Sequence, residues 1–90
     1  MIDFEWDPEK AERNLKDHGV SFLEASEVFG DPLSSTVDDP DHSHEEARLL
    51  IFGQSIAPRY LVVSFADRGG RIRIISAREM TRSERNAYEQ

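Results

Sequence analysis

The 90-residue chain contains no cysteine. This excludes a disulfide framework and thiol chemistry, and it suits a reducing compartment. No apolar run approaches the length of a membrane span or a signal peptide, so a soluble, cytoplasmic chain is expected. Apolar residues make up only 38% of the sequence and charged residues 32%. There are no internal repeats and no low-complexity tract. Ninety residues allow one domain, 1–90, with one modest core. The apolar residues that are present fall into periodic segments, which argues against disorder.

The net charge of −7 argues against nucleic-acid binding when read as one number. The halves tell a different story. Residues 1–47 hold 14 acidic and 3 basic side chains, a net −11, whereas residues 48–90 hold 4 acidic and 8 basic, a net +4. All eight of those basic residues are arginine, whose planar fork suits bidentate phosphate contacts. The structural alternative is that they neutralise carboxylates of the first half across the fold.

Ile2 to Trp6 alternates and reads as a short strand. Asp7 caps a helix with Pro8 at its first position, where the missing amide proton costs nothing. Ala11, Leu15 and His18 share one face of it, and Gly19 ends it. Ser21 and Glu24 form a capping box for a second helix, with Phe22, Ala25, Val28 and Phe29 as its buried stripe and Gly30-Asp31-Pro32 as its stop. Leu33 to Val37 is a weak strand. Arg48 to Gly53 is nearly continuously apolar, as in a strand covered on both sides. Arg59 to Ala66 is another strand, and the turn Asp67-Arg68-Gly69-Gly70 joins it to Arg71 to Arg78 in a hairpin. Thr81 and Glu84 box the start of a last helix. These elements predict an α+β fold, a small antiparallel meander plus a short N-terminal strand, with helices packed on one face.

The last strand is unusual. Ile72 and Ile74 face one side while Arg71 and Arg73 face the other, with Arg78 at the exit, which suggests a sheet face built to hold anions. On the following helix Arg82 and Arg85 lie three apart.

Phe4-Glu5-Trp6-Asp7-Pro8, His18-Gly19-Val20-Ser21-Phe22, Val28-Phe29 with Asp31-Pro32, Asp41-His42-Ser43 with Glu46 and Arg48, Ile74-Ile75-Ser76-Ala77-Arg78 and Glu84-Arg85 with Tyr88 follow one another along the chain. In this order they resemble the BrnT family, ribonuclease toxins of type II toxin–antitoxin pairs. The resemblance implies a RelE-like fold, cleavage of RNA that stops translation, and no cofactor. It also implies a BrnA-type ribbon-helix-helix antitoxin as partner, through which alone the complex would reach operator DNA. The chain departs from the family at Asp17 and Glu79, where lysine is common, and at Pro58, where glycine usually precedes the arginine.

Metal-free RNA cleavage needs a base for the 2′-hydroxyl, an acid for the leaving 5′-oxygen and cations on the phosphorane. Arg59, Arg73 and Arg78 are the electrostatic candidates, expected to converge on one phosphate. His42, Glu84 and Tyr88 are the proton-transfer or stacking candidates, and Arg48, Arg68, Arg71, Arg82 and Arg85 the RNA-binding ones. Each has a structural alternative: a salt bridge for the arginines, the capping box for Glu84, a core anchor for Tyr88. His18 suits a helix-end cap and Trp6 strand packing. His42 and His44 among Asp41, Glu45 and Glu46 invite a metal, but alternate residues of one loop rarely close a catalytic site. Ser43 and Glu46 also match a capping box. Two further readings stay open: a catalytically degenerate toxin-fold co-repressor, and a metal-dependent hydrolase using His42 and His44.

Overall fold

A computed structural model describes residues 2–40 and 47–90. Strand β1 (Asp3–Glu5) leads into helix α1 (Pro8–His18), then α2 (Phe22–Glu27) and a single 3₁₀ turn (Val28–Gly30). Strands β2 (Ser35–Asp38), β3 (Arg48–Gln54), β4 (Tyr60–Arg68) and β5 (Arg71–Glu79) follow, and α3 (Arg82–Tyr88) closes the order. One five-stranded sheet forms, in the order β1-β5-β4-β3-β2. The α+β expectation holds, with two corrections. β1 runs parallel to β5, so the sheet is mixed rather than wholly antiparallel. And α3 lies on the face opposite α1 and α2.

The caps behave as their chemistry dictates. The Asp7 carboxylate accepts from the Glu9 N–H, the Ser21 hydroxyl oxygen from the Glu24 N–H, and Gly19 closes α1 in the left-handed region at φ 69°. At Thr81 both capping-box bonds form. The β4–β5 turn tightens onto Gly69 and Gly70, at φ 59° and 95°, so Asp67 and Arg68 extend the strand instead of forming the turn.

Cross-strand register assigns the faces. Leu61, Val63 and Phe65 of β4 sit opposite Ala77 and Ile74 of β5 and Leu49 and Ile51 of β3, toward α1 and α2. Val20, Phe22, Ala25 and Val28 fill that core, and Phe29 joins Phe4 and Phe65 edge to face at 5.2 and 4.9 Å. The strand covered on both sides is β4, buried from Leu61 to Ala66, rather than β3. Gly53 is required where β3 meets the 3₁₀ turn, since a Cβ there would lie 2.8 Å from a methyl of Val28.

α1 departs most from its sequence reading. Leu15 is 52% exposed and His18 is also exposed, and the buried residue of the helix is Asn14. β1 pairs only with Arg71 to Arg73, so the rest of that edge of β5 lacks a strand neighbour among the described residues. Asn14 takes its place. Its Nδ2 donates to the carbonyls of Ala77 (2.8 Å) and Val20 (2.9 Å), and its Oδ1 accepts from the Ala77 N–H (3.1 Å).

Candidate nucleic-acid interface

On the second sheet face, register places Arg48 and Arg73 as the two cross-strand neighbours of Ala66. Neighbouring strands are about 4.8 Å apart, so the two arginines flank this small residue across about 10 Å of sheet. Arg68 and Arg71 form the next pair toward the β4–β5 turn, and Arg78 lies toward the other end, opposite Val62. Arg78 shares this face because β5 carries one extra residue. Phe65 pairs with Ile74 but Ser64 pairs with Ser76, and the bulge at Ile75 reverses the parity of everything after it.

The expected convergence of Arg59, Arg73 and Arg78 does not occur. Arg59 has the parity of Leu61 and Val63 and points to the helix side. There its Nε donates to Glu24 at 2.9 Å and its Nη2 to the Gly19 carbonyl at 2.9 Å. Arg73 donates one 2.9 Å bond to Glu5, its neighbour on β1. Arg78 grips Glu84 through two bonds of 2.7 and 2.9 Å. Each guanidinium therefore has its own carboxylate. Arg73 and Arg78 also stand four residues apart along β4, about 13 Å at 3.3 Å per residue. That spacing suits two phosphates rather than one.

α3 has no buried residue and is held by its ends. Glu84 joins it to Arg78, and the Tyr88 hydroxyl donates to Asp31, which also accepts from the N–H groups of Gln54 (2.8 Å) and Leu33 (2.9 Å). Tyr88 meets Tyr60 edge to face at 5.7 Å, and the Arg85 guanidinium lies over the Tyr60 ring at 4.0 Å. Arg82 is exposed. His42, His44 and the Ser43–Glu46 capping box lie outside the described residues. Among the described residues no group of three or more histidines and carboxylates is placed to hold a metal ion.

The family model for the ribonuclease toxin BrnT of type II toxin–antitoxin systems matches residues 6–84. The chain belongs to the BrnT family. The 1.1 Å crystal structure of the Brucella abortus ribonuclease toxin BrnT shares the fold, at a TM-score of 0.66 and 21% identity over 91% of this chain and 100% of that one. No curated protein sequence matches significantly.

In this BrnT-family chain Glu84 is badly suited to act as a base. The two bonds from Arg78, aided by the Thr81 N–H, outweigh burial and hold its carboxyl down at about 2. A base that acidic takes a proton poorly at neutral pH. Burial and the neighbouring Asp31 push the Tyr88 hydroxyl up to about 12, and its proton is already committed to that carboxylate. Both residues anchor α3.

This ion pair makes a pH prediction. Glu84 titrates near 4.5 when unfolded and about 2 when folded, so its stabilisation is complete above pH 4.5 and is lost as pH falls toward 2. The Arg78 side chain is 42% exposed, so solvent screening limits the contribution to about 1–2 kcal/mol. Urea melts of the wild type and Glu84→Gln should differ by that amount at pH 7 and coincide near pH 2.

The sequence reading missed four partners: Glu5, Glu24, Asp31 and Asn14. Glu24 had a signal that pointed elsewhere. As third residue of α2 it looked like half of a capping box, but its carboxylate goes to Arg59 and to the Ser55 hydroxyl instead. Only the Ser21 half of that box forms.

Proposed function

We propose that the chain is a metal-independent endoribonuclease that cleaves RNA in the cytoplasm, stops translation and is neutralised by a BrnA-type ribbon-helix-helix antitoxin. The observation that carries the reading is the placement of Arg48 and Arg73 on either side of Ala66. Ala66 itself is covered, at 1% exposed, so a scissile phosphate held between the two side chains above it meets a guanidinium from each side, and Arg78 takes a phosphate farther along the strand. The Arg73–Glu5 pair offers little resistance. It is a single bond between side chains 29% and 30% exposed, and exposed pairs are worth about 0.2–1 kcal/mol. Attack of the 2′-oxygen on phosphorus and departure of the 5′-oxygen build charge on the phosphorane, where fixed guanidinium groups stabilise it most. His42 is the proton carrier in this scheme, since an imidazole can both donate and accept a proton.

The test is purified chain on single-stranded RNA in excess chelator. Cleavage should persist, the pH dependence should change in His42→Ala, and affinity should fall with salt at a log–log slope of about −0.7 per phosphate. The pairing of Arg59, Arg73 and Arg78 with carboxylates favours a second reading, a degenerate toxin fold acting as co-repressor. RNA left intact by a chain that still binds its antitoxin would establish that alternative.

A further inference from the structure

The arginine lane leaves a polar cleft unused. Between the start of β4 and α3 lies a cavity of about 410 Å3 bordered by Gln54, Arg59, Tyr60, Glu79 and Arg85. Its guanidinium groups are offset by Glu24, Glu79 and Glu89, each within 4 Å of one of them, so it suits a neutral polar ring better than a phosphate. Arg85 lies over Tyr60 and is 54% exposed, a planar cation on which a base can stack.

We infer that this cleft is a nucleobase subsite selective for guanine, an inference that rests on the ribonuclease reading and names the base bound beside the phosphate lane. Glu24 and the Gly19 carbonyl engage Nε and Nη2 of Arg59 and fix the side chain in place. Its Nη1 stands 3.9 Å from Glu79 Oε2, beyond hydrogen-bond range, and both remain available to a third partner. An edge bound there must accept from a guanidinium and donate to a carboxylate with two acceptor oxygens. Guanine alone pairs an acceptor, O6, with two adjacent donors, N1–H and the 2-amino group. Adenine, cytosine and uracil each offer one donor group on that edge. The Glu79 side chain is 62% exposed, so it can turn to meet the base without loss of packing.

The experiment is a titration of the purified chain with GMP, AMP, CMP and UMP, followed by NMR, which requires no cleavage. GMP should bind about tenfold tighter than the others, with shifts concentrated at Tyr60, Glu79 and Arg85, a ratio set by one bidentate contact. Glu79→Gln should erase the preference, and Arg85→Ala should weaken all four nucleotides alike. Equal binding of the four, or shifts confined to Arg48 and Arg73, would overturn the subsite. If that happens while RNA is still cut, the ribonuclease reading survives. Guanine selectivity without cleavage would support the subsite and reject the nuclease.

Discussion

Arg73→Ala should lower RNA cleavage by about a hundredfold or more while the protein melts almost as before. The two effects separate because Arg73 contributes little to the folded state. Its single 2.9 Å bond to Glu5 joins two side chains near 30% exposure, so its removal costs less than about 1 kcal/mol. In the transition state the same guanidinium faces a phosphorane carrying extra negative charge, where each donor is worth far more. Glu5→Gln carries the opposite sign. Without its carboxylate Arg73 is held less firmly away from RNA, and affinity at low salt should rise severalfold, about the worth of one exposed pair. Cleavage rates measured beside thermal melts decide the matter. Equal activity in Arg73→Ala and wild type would move the phosphate off the Ala66 lane.

Asn14→Leu should destabilise the fold by about 3 kcal/mol. The Asn14 side chain satisfies both polar groups of Ala77 and the carbonyl of Val20, residues 1% and 0% exposed. Leucine keeps the branched shape, with more bulk, but leaves all three unpaired, and each unsatisfied buried group costs about 1–3 kcal/mol before the structure relaxes. For a domain of this size the total stability is about 5–15 kcal/mol, so the midpoint of urea unfolding should drop sharply. Asn14→Asp keeps the acceptor for the Ala77 N–H and loses both donors, and should fall lower than wild type as well. A leucine variant with an unchanged midpoint would show that water replaces the side chain.

Much of the fold was written in local chemistry. Asp7-Pro8, Ser21, Thr81 with Glu84, and Gly69-Gly70 each act within a few residues, and each forms a cap or turn where the sequence places it. Strand periodicity likewise marked β3, β4 and β5, with ends displaced by a residue or two. Strand alternation alone puts Arg59 with Leu61 and Val63 on the helix side, away from Arg73. The partners of the arginines were less accessible. Glu5 meets Arg73 across 68 positions and Glu24 meets Arg59 across 35, and nothing local selects among the acidic side chains of the first half.

The sequence by itself determined the α+β class, the order of the elements and the supply of arginine in the second half. Only the tertiary structure decided which arginines stand together. By simple alternation Arg78 would oppose Arg71 and Arg73. The extra residue at Ile75 turns it onto their face, because Ala77 must enter the core and meet Asn14. β1 joins β5 in parallel, a pairing between the first and last strands of the chain that no local signal specifies. Such choices depend on packing between residues far apart in sequence, where strand period and capping carry no information.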